Sequence, residues 1–135
     1  MRPVGVTLIA MLHWLRGALY LGVGFALLGF AHLSAHMIES VAGDTLVQRL
    51  VSGLGKTLGV AVLLFALLFI VMGFGLWAMK NWARVLTLIF AVIWLASAML
   101  RLIHFPTPFH LLRAAVDVAI LVYLLLPDVK RAFAA

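Results

Sequence analysis

Four side chains stand out for their chemistry against an otherwise apolar background. His13 and Arg16 lie three residues apart in the first long apolar run, and Arg113 and Asp117 lie four apart in the last. In a helix each pair shares a face. A charge near the middle of the hydrocarbon costs about 2.5–3.5 kcal/mol on insertion scales, so such groups turn inward and pair. At about 1.5 Å per residue, His13 and Arg16 come out roughly 12 and 16 Å from one face of the membrane, and Asp117 and Arg113 roughly 14 and 20 Å from the same face. All four fall in one layer. The expectation is that the first and fourth helices are neighbours and that Arg16 and Arg113 both meet Asp117. Two readings of this cluster are open. It is a polar clasp that sets helix order, or a centre with surplus positive charge that takes an anion, with His13 able to titrate near neutrality.

A second constellation reads H-x-x-x-H-x-x-E: His32, His36 and Glu39. On a helix these three share a face, and two imidazoles with a carboxylate are permissive for zinc or copper. The same spacing is ordinary for the polar side of an interfacial helix, so no metal is assigned. His104 and His110 belong to the other connection on that side. No set of nucleophile, base and orienting group is visible, and no phosphate-cradling loop. Cysteine is absent, which excludes disulfides, thiolate nucleophiles and cysteine-ligated metals. The chain therefore reads as non-enzymatic and without a cofactor.

These residues are positioned by four apolar segments, at about 4–31, 57–79, 83–100 and 109–126. Each meets the need for about 17–25 apolar residues to cross a bilayer. The 135-residue chain is 67% hydrophobic and 10% charged, against about 45–50% and 25% in soluble domains. The fold class that follows is all-α: a single-domain integral membrane four-helix bundle. Prolines keep out of the spans, at positions 3, 106, 108 and 127, so no helix loses an internal hydrogen bond to one. Pro127 is read as the stop of the last helix.

Basic residues set the expected orientation. Arg2, Lys80, Arg84, Lys130 and Arg131 would face the cytoplasm, against Arg49, Lys56 and Arg101 outside, which favours both termini inside. Trp77 and Trp82 flank the tight inner turn at Met79–Lys80–Asn81, and Phe105 and Phe109 would anchor the outer edge. The +6 net charge belongs to topology and to anionic headgroups, with no interleaved basic stripe of the kind that binds nucleic acid. Lys80, Arg84, Lys130 and Arg131 are the expected contacts to lipid headgroups or to a partner.

The long connection from His32 to Lys56 carries apolar residues at helical spacing: Leu33, Met37 and Val41, then Val47, Leu50 and Val51, with a turn at Gly43-Asp44. It is expected to form one or two amphipathic helices on the outer surface. Small residues mark packing faces: Ala18, Gly22 and Ala26 on the first helix, Gly55 and Gly59, then Gly73 and Gly75, on the second, Ala91 and Ala98 on the third, Ala115 and Ala119 on the fourth. They serve packing within the chain, self-association or docking to a larger partner.

Three stretches resemble landmarks of a family of small bacterial membrane proteins of unknown function: Arg2-Pro3-Val4-Gly5-Val6-Thr7 at the start, Gly75-Leu76-Trp77 with Asn81-Trp82-Ala83-Arg84 at the inner turn, and Tyr123-Leu124-Leu125 with Pro127-Asp128-Val129-Lys130-Arg131-Ala132-Phe133 at the end. The resemblance implies four helices and a location in the bacterial inner membrane, and implies no activity. Taken together, the leading expectation is an accessory or stabilising subunit of a larger membrane complex, or a homo-oligomer. The alternative is a small transporter or anionic-lipid-binding protein built on Arg16, Arg113 and Asp117.

Overall fold

The computed structural model describes residues 3–42, 46–104 and 107–133. Those residues form five helices and no strand: α1 (Val4–Ala42), α2 (Leu46–Trp77), α3 (Asn81–His104), α4 (Pro108–Leu125) and α5 (Pro127–Ala132). The first four are long and apolar enough to cross a membrane. The protein is thus an all-α chain with four candidate spans, and its exposed side chains include Leu8, Leu19, Phe25, Leu64, Leu100 and Leu112. Only helices and closed barrels satisfy every backbone group without water, which is why so apolar a chain takes this form.

The connection between the first two spans is helical, as its spacing predicts, but its two halves are not separate interfacial helices. Residues 32–42 prolong α1 and residues 46–56 begin α2. The apolar periodicity shows that each half is a helix; it is silent on where one helix becomes another. Arg2, the Gly43-Asp44 turn and Phe105 lie outside the described residues, as do the side chains of Glu39, Val41 and His104.

The chain divides into two compact units, His13–Val71 and Met1–Leu12 with Met72–Ala135. In the first unit α1 and α2 run antiparallel and touch through their smallest residues. A Cβ on Gly24 would meet the Leu63 side chain at 2.6 Å and the Gly59 carbonyl oxygen at 3.3 Å; one on Gly59 would meet Leu28 at 2.7 Å and the Gly24 carbonyl oxygen at 3.3 Å. One on Gly17 would meet Ile70 at 2.6 Å and the Ala66 carbonyl oxygen at 3.1 Å. Gly55 faces Ala31. The α1 positions are seven apart (Gly17, Gly24, Ala31), as are Gly59 and Ala66 on α2, the repeat of a left-handed antiparallel crossing. Gly55 and Gly59 therefore pack as their spacing suggests. The α1 stripe of Ala18, Gly22 and Ala26 does not: all three are exposed, and nothing lies within 4 Å of a Cβ built on Gly22. Near the far end, the Gln48 amide donates to the Ala35 carbonyl at 3.2 Å, tying the start of α2 to α1.

In the second unit α3 packs on α4. Ala91 and Ala98 are buried, as is Ala114 of α4, whereas Ala115 and Ala119 are exposed. Thr87, on the same face of α3, is buried and returns its hydroxyl to the Ala83 carbonyl at 2.8 Å. The start of α4 is set by Thr107, whose side-chain oxygen accepts from the His110 N–H at 3.4 Å, with Pro108 at the first helical position. Thr107→Ala is expected to cost about 1 kcal/mol, seen as faster hydrogen exchange at the amides of His110 and Leu111 with the rest of α4 unchanged.

Candidate functional site

The residues that make the protein distinctive collect at one end of the second unit. Val6, Ile9 and Ala10 of α1, Leu76 of α2, Ala83 of α3, Ile120 and Leu124 of α4, and Val129 and Phe133 at the α5 end form one buried apolar core. Every one of the three landmark stretches contributes to it. A Cβ on Gly5 would clash with the hydroxyl end of the Tyr123 ring, and one on Gly75 would sit 2.5 Å from the Ala83 methyl and 2.7 Å from the Trp82 ring. The landmarks are thus the two halves of close contacts: glycine of the first stretch against tyrosine of the third, and glycine against Trp-Ala within the second.

The turn from α2 to α3 explains the second landmark. The Lys80 N–H donates to the Gly75 carbonyl (2.8 Å) and the Met79 N–H to the Leu76 carbonyl (3.0 Å), the paired bonds of a Schellman ending. The residue that must turn left-handed there is Met79, with φ 54°. Glycine is the usual occupant; Met79 accepts the strain, of order 1–2 kcal/mol, while its side chain packs on the core.

α5 is the element that sequence reading missed. Pro127 does end α4 at Leu125, and it is also the first residue of α5, where its missing N–H costs nothing. Asp128 sits in the first turn and Lys130 and Arg131 in the last, matching the helix dipole. Val129 and Phe133, four apart, point into the core. Proline at the first position, with the acid early and the bases late, was the available signal.

Basic groups rim this core. Lys80, Lys130 and Arg131 are exposed and Arg84 is half-buried. The Arg84 guanidinium lies over the Phe133 ring, 5.9 Å from its centroid, linking α3 to the end of α5. Arg131 approaches Asp128 at 3.9 Å, fully in the open, a contact worth little.

The intramembrane polar residues divide between the two units, His13 and Arg16 in one and Arg113 and Asp117 in the other. His13 is buried and tilts against Phe69 of α2, with ring centroids 5.6 Å apart; Tyr20 stacks on the same Phe69 at 5.6 Å. Arg16 is half-buried. Asp117 is 1% exposed. The Arg113 guanidinium lies over the indole of Trp94 on α3, 5.0 Å from the ring centroid. Helix spacing pointed only to the carboxylate one turn away; an aromatic face on the next helix is invisible to spacing and supplies the cation with a cation–π partner. The first turns of α1 do lie against α4, through Gly5 and Tyr123.

In the His13–Val71 unit, His32 and His36 are exposed and their rings meet edge to face at 4.8 Å. Among the described residues no three metal-ligating side chains gather. Two shallow cavities of about 300 Å³ each open on the surface, one lined by Ala61, Leu64, Phe65 and Leu68, the other by Gly5, Leu8, Ile9, Val116, Ala119, Ile120 and Tyr123. Both are apolar.

The class that this arrangement defines is a multi-pass α-helical membrane protein whose distinctive residues build a helix-end core. Residues 5–127 match the model of the DUF2127 family of predicted membrane proteins, and the chain belongs to that family, whose function is unknown. No curated protein and no solved structure matches the chain.

Proposed function

We propose that this protein works by contact, without chemistry of its own, as an accessory subunit of a larger membrane complex or as a homo-oligomer, in a bacterial cytoplasmic membrane with both termini inside. One observation carries the reading: an exposed apolar seam on α1, a helix longer than the hydrocarbon is thick. Leu15, Ala18, Leu19, Gly22, Ala26, Phe30, Leu33 and Met37 lie along one side of the helix and are all exposed, half a turn from the face that packs on α2. The 39 residues of α1 measure about 58 Å, or about 55 Å along the membrane normal at a typical tilt of about 20°. The hydrocarbon is about 30 Å thick. With the span counted from Val4, Leu33 and Met37 fall beyond the acyl chains, where large exposed apolar groups mark an interaction surface. Ala18, Gly22 and Ala26 below them are small enough for a partner helix to approach closely.

The chain has no cysteine, so single cysteines can report the contact directly. Gly22→Cys, Ala26→Cys and Met37→Cys are each expected to crosslink in native membranes, to a second copy or to one larger partner, while Leu64→Cys on α2 does not. Uniform crosslinking at all four sites, or none at any, overturns the reading. Gly22→Leu is expected to leave stability within about 0.5 kcal/mol, as open-surface changes do, while abolishing the crosslink at Ala26→Cys.

A further inference from the structure

We propose that the groove between the start of α1 and α4 holds an acyl chain of an anionic phospholipid, whose phosphate is met by the basic rim of α5 and the α2–α3 turn. This site belongs to the other unit of the chain. Exposed Ala119 on α4 leaves room in the groove, and Gly5 on α1 forms part of its wall where it packs against Tyr123. Leu8, Ile9, Val116, Ile120 and Tyr123 complete its walls. Val116, Ala119 and Tyr123 cover two turns of α4, about 10 Å of length. Its volume, about 300 Å³, sits at the lower bound of ligand pockets, about 300–1,000 Å³.

Charge selects the occupant. The groove ends at Tyr123, whose carbonyl accepts from the Leu126 N–H at 3.2 Å where α4 gives way to α5. At that end stand Lys80, Arg84, Lys130 and Arg131, and Asp128 and Asp117 are the only acids in residues 72–135. Arg131 has Asp128 beside it; among the described residues no carboxylate pairs with Lys80, Arg84 or Lys130. Phe133 holds the Arg84 guanidinium in place, and a positioned guanidinium suits a phosphate. An apolar slot in the membrane under a group of uncompensated cations matches a lipid with a negative headgroup. A zwitterionic lipid offers the same chain but cancels the attraction, and a second copy of this chain would bring its own cations to the rim.

Native mass spectrometry of the full chain in mild detergent, with phosphatidylglycerol or phosphatidylcholine of identical chains added, tests this. Phosphatidylglycerol is expected to be retained at least tenfold over phosphatidylcholine. Removing exposed cations with Lys130→Gln and Arg131→Gln is expected to reduce that preference by roughly fivefold each, with binding of phosphatidylcholine unchanged. Filling the groove with Ala119→Phe is expected to weaken both lipids, and glycerol phosphate, which has no chain, to bind far below phosphatidylglycerol. Circular dichroism and melting midpoints confirm that these exposed substitutions stay folded. Equal retention of the two lipids, an unchanged preference in the charge variants, or an Ala119→Phe that alters oligomeric state and leaves lipid binding intact would each overturn the proposal.

Discussion

Gly75→Val is expected to lower the melting midpoint in mild detergent by on the order of 10 °C, the equivalent of about 3 kcal/mol in a chain of this size. The Cβ would sit 2.5 Å from the Ala83 methyl and 2.7 Å from the Trp82 ring. A methyl carried on backbone cannot swing aside as a long side chain can. The backbone cannot retreat either, because the Gly75 carbonyl already accepts the Lys80 N–H that closes the turn. Something must separate, and what separates is α2 from α3 at the point where Leu76 and Ala83 enter the core. Gly53→Val is the matched control. Nothing lies within 4 Å of a Cβ there, so its effect is expected to stay within about 1 kcal/mol and to favour neither unit. A small shift for Gly75→Val would mean that the turn is not held as described.

Gly24→Leu is expected to open the α1–α2 crossing, at a cost of about 3 kcal/mol, while Gly22→Leu two residues away is nearly silent. Gly24 and Gly59 each face the other's carbonyl oxygen, so the two backbones are in direct contact there. In lipid no hydrophobic force drives helices together; close packing does, and it vanishes when the backbones are pushed apart. The measurement is a pair of cysteines across the crossing, for example at Ala31 and Gly55, which face each other, whose crosslinking should fall in Gly24→Leu and persist in Gly22→Leu. Equal effects from both substitutions would contradict the placement of Gly24 inside and Gly22 outside.

That pair of glycines also shows how far the sequence could be read. The four spans are legible because lipid demands about 20 apolar residues in a row, and composition alone reports that. The packing face of α1 is not legible at the same level. Small residues recur there both four apart (Ala18, Gly22, Ala26) and seven apart (Gly17, Gly24, Ala31), and only the second set faces α2. The choice between them depends on the crossing angle, a property of two helices together. The same limit hid the Trp94 partner of Arg113, which lies on a different helix. α5 was missed for another reason: six residues cannot stand as a helix alone, and Val129 and Phe133 hold it only because a core is there to receive them. The landmark residues, by contrast, were visible as a pattern, and their meaning is geometric: Gly5 with Tyr123, Gly75 with Ala83, Arg84 with Phe133.

The turn between α2 and α3 has a consequence for how the protein is made. Three residues, Ala78 to Lys80, separate the two helices, too few for either to enter the bilayer while the other waits in water. The two helices therefore cross as one hairpin, and the charges of Lys80 and Arg84 at its tip set the side on which the turn stays. Lengthening that link would uncouple them, and molecules with the last two spans inverted would then accumulate during biosynthesis.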